Sequence, residues 1–423
     1  MVGKVFTRGM LAAALLLTPA LASTGSIVSA AGSSIKVTLD GKAVPMNAQP
    51  RIVNDYTLVP YASIVSALGG KATWNASTKT VTVASKDVNV ELTAGVKKAV
   101  VNHATQPLDA APSIVNGTMF VPLRFLSETF GKWVSYSKPA ATIALRSELA
   151  VTTSSGPVTL KKKPSRIATL SSSDTEIIYA LGSSVVGRPT ALGAVYPPQA
   201  ASAPEIGSTH GILFEKLAAA KPDLVIASPA LQSQKATIEA LGAQVIFNAH
   251  NTYPEIQASV RLYGKILGKE SRADQLIKGM DAKVSGLTKP AAAPKTLIVY
   301  GAPGSFVVAL PSSYPGNFLA LAGGKNVAAS FPKMDEMPQY AELSLERIVA
   351  ANPDLILLIT HGDAAEVKAS FKKQFESNPA WKSLGAVKND RFEVLPSDLF
   401  AANPGLRAPE AISAINKILL QVK

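Results

Sequence analysis

Phe214-Glu215-Lys216-Leu217, followed by Ala219-Ala220 and Pro222-Asp223-Leu224-Val225-Ile226, returns 131 residues further on as Leu345-Glu346-Arg347-Ile348, Ala350-Ala351 and Pro353-Asp354-Leu355-Ile356-Leu357. In each copy apolar residues first stand three apart, a Pro-Asp pair then turns the chain, and a continuous apolar run follows. That order predicts a short amphipathic helix, a turn and a strand buried on both faces, the repeating element of an open parallel sheet. Two copies so widely spaced predict an α/β protein with two Rossmann-like lobes. Further strands fit the same plan at 166–170, 244–247, 296–299 and 392–395.

Between the copies, Ile256, Val260, Tyr263, Ile266, Leu267, Leu276, Ile277, Met280 and Val284 cluster at helical spacings. They predict one long helix over 253–287, roughly 50 Å at 1.5 Å per residue. Gly264 and Gly268 weaken its middle without ending the pattern. A stiff spine of this kind would permit only small lobe movements.

A second repeat organises the N-terminal part. Ile52-Val53-Asn54 through Val59-Pro60 to Gly69 recurs 62 residues later as Ile114-Val115-Asn116 through Val121-Pro122 to Gly131. Each copy offers a short helix after Val-Pro, at 61–68 and 123–130, and then alternating strand patterns at 80–83 and 141–145. This is a duplicated, mixed unit over 35–147 with its own core. The Ser/Thr/Pro/Lys-rich stretch that follows reads as a linker over 148–163. The α/β part then runs from 164 to 423, as an N-lobe over 164–251, the linking helix over 252–288 and a C-lobe over 294–423.

Residues 1–31 have the make-up of a secretory signal peptide. Lys4 and Arg8 precede an apolar run from Met10 to Leu17, and small-residue cleavage patterns follow at Ala20-Leu21-Ala22 and Val28-Ser29-Ala30. The run is too short to span a bilayer. The chain is therefore expected to be exported, to the cell envelope or beyond. Lys and Arg number 42 against 29 Asp and Glu, a net charge of +13 over 423 residues. Spread thinly, that excess suits an anionic cell-wall polymer and not a nucleic acid. Cysteine is absent, which excludes disulfides, thiolate metal sites and lipid attachment to cysteine. There is no P-loop, His-Glu-x-x-His, Gly-x-Ser-x-Gly or dinucleotide glycine pattern, so the chain is not expected to be an enzyme.

The (Val/Phe)-Val-Pro-Leu-Arg-Phe type motif at Phe120 to Phe125 resembles the copper amine oxidase N-terminal-like domain of secreted Gram-positive proteins. The resemblance implies no copper chemistry, because His103 is the unit's lone imidazole. From Pro157 onward the chain resembles the class III substrate-binding proteins of ABC importers for iron-siderophore, cobalamin and haem. The motifs are Pro164-Ser165-Arg166-Ile167, Thr175-Glu176-Ile177-Ile178-Tyr179-Ala180-Leu181-Gly182, both lobe repeats and Leu395-Pro396-Ser397-Asp398-Leu399-Phe400. This implies a monomer that holds a ligand between its lobes and delivers it to a permease and its ATPase. Pro303-Gly304-Ser305-Phe306, Ser313-Tyr314 and Leu321 to Val327 are similar to the haem-binding branch, typified by the haem receptors of Gram-positive iron-regulated surface determinants. In that branch a His-Gly after the C-lobe Pro-Asp strand supplies an axial haem ligand, and His361-Gly362 stands there. A first-lobe loop, commonly with Met, supplies the other, and Gly207-Ser208-Thr209-His210-Gly211 puts His210 in that place.

The histidines point the same way by themselves. Four occur, and two are His-Gly in loops flanking the duplicated lobe element. Loops beyond the carboxyl ends of parallel strands line the ligand crevice. A planar macrocycle there would receive His210 on one face and His361 on the other. Ser172 and Ser173 open a helix whose exposed N–H groups suit a carboxylate such as a propionate. Tyr196, Phe306, Tyr314, Met334 and Met337 are candidate pocket walls, and either Met competes as a soft iron ligand. His250 reads as a crossover residue. The resemblance casts Glu215 and Glu346, equivalent in the two repeats, as the carboxylates that meet permease arginines. Two alternatives stay open: a siderophore or corrinoid receptor using Arg188, Arg391 or Arg407, and a wall-bound structural or haem-relay protein without a permease.

Overall fold

The computed structural model describes residues 35–191, 194–302, 304–361, 363–375 and 378–422. The expected signal peptide, Pro303 and Gly362 lie outside them.

Both copies of the lobe element fold as the pattern predicts. Helix Phe214–Ala220 leads to strand Leu224–Ala227, and helix Leu345–Ala351 leads to strand Leu355–Thr360. The Pro-Asp pair has a definite task in each. Asp223 accepts from the backbone N–H of Ser165 and Arg166 at 2.9 Å, and Asp354 accepts from that of Lys295 at 2.9 Å. Each carboxylate thus ties down the chain where the neighbouring strand begins, satisfying donors that would otherwise be stranded. The first lobe's sheet is parallel throughout, ordered Val185–Gly187, Ile167–Thr169, Leu224–Ala227 and Gln244–Phe247. The second is mixed. Lys295–Ala302 runs parallel to Leu355–Thr360, which neighbours Phe392–Val394, while Ser305–Ala309 and Tyr340–Glu342 add antiparallel strands on the other side.

The single long helix is corrected to a pair. Tyr253–Leu267 ends at Gly268, whose φ of +68° closes the helix in the left-handed conformation that glycine adopts freely, and Glu270–Ser285 returns alongside. The Tyr253 hydroxyl and the Gln257 amide, early in the first helix, both donate to Asp281, late in the second. Gly264 permits the close crossing, since a Cβ there would stand 2.6 Å from that of Ala273. A folded-back pair buries both apolar stripes, so the periodicity read as one helix is also satisfied by two.

The stretch expected as a linker is a β-hairpin, Leu149–Thr153 with Gly156–Leu160. Its buried Leu149, Val151 and Leu160 join Trp133, Ile177, Val260, Tyr263 and Ile266 in one core. The duplicated unit has a separate core around Val59, Val81, Leu92, Val121 and Leu126. Its two copies pair directly, Val59 opposite Val121 and Pro60 opposite Phe120. Trp133 Nε1 donates to the Ile266 carbonyl at 2.8 Å and Lys163 Nζ meets Glu128 at 2.9 Å, fastening this unit to the first lobe.

Candidate ligand-binding site

His361 follows immediately after strand Leu355–Thr360, and its N–H donates to the Gly301 carbonyl at 2.8 Å, continuing the ladder with the central strand. Its Nδ1 lies 3.3 Å from the Tyr300 hydroxyl oxygen and 3.3 Å from the Ala401 carbonyl oxygen. Tyr300 itself donates to that carbonyl at 2.7 Å, and burial pushes its hydroxyl pKa up, so it keeps its proton. A carbonyl can only accept, and the Tyr300 proton is already committed to it. Both oxygens therefore present lone pairs to Nδ1, which must carry the hydrogen. The Nε2 lone pair is left for a metal. The ring is exposed and lies against Tyr300, with centroids 6.2 Å apart.

Ala401 begins a segment that crosses between the lobes. Asn403 Nδ2 donates to the His250 carbonyl at 2.5 Å while its Oδ1 accepts from Gly405 N–H at 2.9 Å. Leu406 packs on both lobe cores, and its N–H donates to Glu176 at 3.1 Å. Glu176 is buried on the first-lobe helix Ser172–Ala180. Burial raises its carboxyl to about 7, against the Leu406 amide and Arg407, which lower it, while Glu410 adds to the rise.

In the first lobe His210 occupies the exposed tip of a tight hairpin, Gly207–Ser208 with Gly211–Ile212, where Ser208 Oγ accepts from the His210 N–H. Among the described residues no hydrogen bond or ring contact joins His210 to His361. Ser171, one residue before the pair proposed for a carboxylate, is the helix cap, accepting from Asp174 N–H. Ser172 is exposed at the first helical position. Ser173 is corrected: it is buried, and its hydroxyl bonds His250 Nε2 at 2.8 Å. His250 lies in the crossover between strand Gln244–Phe247 and helix Tyr253–Leu267, as expected, and there joins a buried polar cluster. Tyr263 donates to Asp174 at 2.6 Å, and Asn248 bonds both Ser259 and Tyr263. Burial beside Asp174 raises the Tyr263 hydroxyl well above its usual pKa, so it remains a donor.

Two expected pocket aromatics belong to the second lobe's core. Tyr314 is buried, with its hydroxyl on the Phe400 carbonyl, and Phe306 meets Phe371 edge-on at 5.2 Å. Tyr196 is half exposed, with the Arg407 guanidinium 5.2 Å above its ring. Met334 is half-buried and Met337 exposed, on the turn leading to Tyr340, whose ring lies 5.8 Å from Tyr300. Glu215 and Glu346 are both exposed in the first turns of equivalent helices. A groove of about 730 Å³ on the second lobe, lined by Lys295, Lys325 and Arg347, includes neither His361 nor His210. Sequence reading missed Tyr300, Ala401, Asn403 and Glu176. Tyr300 stands one residue beyond a predicted strand end, and Glu176 is an acid set against Ile177-Ile178, the two signals available.

The Periplasmic binding protein family matches residues 167–399, and the Copper amine oxidase N-terminal domain family matches residues 38–145. The chain is 28% identical over 244 residues to the High-affinity heme uptake system protein IsdE of Staphylococcus aureus, covering 56% of this chain and 82% of that protein. Among solved structures, an ABC transporter substrate-binding protein from Listeria monocytogenes is 30% identical with a TM-score of 0.53, covering 61% of this chain and 99% of that one. The structure of S. aureus IsdE complexed with heme is 27% identical with a TM-score of 0.52, covering 60% and 99%. The chain belongs to the periplasmic binding protein family, as a substrate-binding protein of the haem and siderophore ABC-import class.

Proposed function

We propose that this chain captures haem between its lobes, with His361 Nε2 as one axial ligand and His210 as the other, and delivers it to an ABC permease and its ATPase for iron acquisition. The observation that carries this reading is the pair of oxygens at His361 Nδ1, which fixes the tautomer that leaves Nε2 free to coordinate. Imidazole held this way is a strong, oriented iron donor. His210 is exposed at a hairpin tip of the first lobe, which supports it as the second ligand. Two of the arginines that the siderophore or corrinoid alternative calls on are paired within the protein: Arg188 with Glu205 at 3.0 Å, and Arg407 with Asp398 at 2.8 Å. The relatives named for heme add weight.

The test is an absorption spectrum of the full chain reconstituted with haem. Two imidazoles give a sharp low-spin spectrum, His210→Ala changes it, and the His210→Ala/His361→Ala double variant loses it. An unchanged spectrum in the double variant overturns the ligand assignment. Tight binding of a ferric siderophore with none of haem overturns the cargo.

A further inference from the structure

His361 is fastened on two sides by different means. Its backbone belongs to the second lobe's central sheet through Gly301. Its Nδ1 faces the Ala401 carbonyl, which opens a segment anchored on the first lobe. Two residues further on, Asn403 makes that anchor with one side chain: its NH₂ donates to the His250 carbonyl and its Oδ1 accepts from Gly405 N–H. Gly405, at φ +56°, lies so close to the first lobe that a Cβ there would stand 2.9 Å from the Ser173 Cβ. The carbonyl that orients His361 is therefore held from two sides, by Tyr300 within the second lobe and by the Asn403 anchor across the lobe boundary.

We propose that Asn403 is a positioning residue for His361: by pinning the 401–407 segment to the first lobe, it holds the Ala401 carbonyl on His361 Nδ1. This rests on His361 being an axial ligand. A carbonyl drawing on Nδ1–H enriches Nε2 in electron density and stabilises the ferric state. When the lobes part, either the segment leaves His250 or the carbonyl leaves His361. The first course frees the 401–407 segment and leaves the Ala401 carbonyl to Tyr300 alone, and the second takes the carbonyl from the imidazole, so the grip on the cargo is strongest when the lobes are seated together. Separation by a permease would loosen the ligand without any group on the permease touching the iron.

The test uses the full chain loaded with haem. Asn403→Ala, and Asn403→Asp, which keeps the Gly405 acceptor but lacks the donor, keep the wild-type low-spin spectrum. They raise the reduction potential and speed haem transfer to an apo-globin scavenger about tenfold. Unchanged potential and transfer rate in both variants overturn the proposal. His361→Ala separates the two readings, because a wild-type spectrum in that variant removes the ligand assignment and leaves the lobe anchor standing. A measurement without substitutions decides the matter if the variants fold poorly. Amide exchange at Gly405 and Leu406 slows at least tenfold when haem is added to the wild-type chain, and unchanged exchange overturns the coupling.

Discussion

Glu176 brings a carboxyl into the contact between the lobes, where water is scarce and the Leu406 amide donates to it. With its pKa raised from 4.5 to about 7, the folded chain holds a proton that the unfolded chain has already released. That stabilisation is complete below about pH 4.5 and is lost as pH rises through 7. At 1.36 kcal/mol per unit the loss is on the order of 3 kcal/mol. Arg407, Glu410 and Tyr196 face the same carboxyl and shape the curve. Glu176→Gln should flatten the pH dependence of urea unfolding between pH 5 and 8, and leave the protein roughly 1–3 kcal/mol more stable at pH 8. A variant that keeps the wild-type slope would show that the titrating group lies elsewhere. At this scale the sequence was legible where one residue type has one use. The placement of Glu215 and Glu346 at equivalent helix starts, and of His361 directly after the second repeated strand, could be read from the repeat. That of Ser173 could not, because a serine at a helix start can face a ligand or a buried histidine equally well, and only the fold brings His250 to it.

The helical pair that replaces the expected spine turns on two glycines whose tasks differ from a third. Gly264 is buried against Ala273, whereas Gly279, in the middle of Glu270–Ser285, has open space where a Cβ would stand. Gly264→Ala should destabilise by about 1–3 kcal/mol through the clash. Gly279→Ala should stabilise by about 0.5–1 kcal/mol, because alanine is the better helix former. Thermal melts of the two variants test this, and equal effects would mean the helices do not pack at Gly264. Apolar periodicity reported the buried face correctly over 253–287, but a stripe records which side is buried and not what covers it. The hairpin at 149–160 was hidden for a related reason. Its outward Ala150, Thr152, Pro157 and Thr159 and the Ser154-Ser155 turn dominate the composition, while Leu149, Val151 and Leu160 alternate inward.

At the level of the whole molecule, equivalent helices place Glu215 on one lobe and Glu346 on the other, both reaching solvent. Reversing both to Lys should abolish haem uptake by cells while leaving the haem spectrum of the purified protein intact. Uptake that persists would support a role without a permease. No helix among the described residues is long and apolar enough to cross a membrane. The duplicated unit is joined to the first lobe through Trp133, the hairpin and the Lys163–Glu128 pair. Trp133→Ala should cost about 3–5 kcal/mol at that joint and divide one calorimetric transition into two. That joint is a packed bracket where a linker had been expected. Whatever grips the duplicated unit thereby also fixes the compass direction of the first lobe, so a substrate-binding protein mounted by this end would present that lobe at one constant angle without having to tumble.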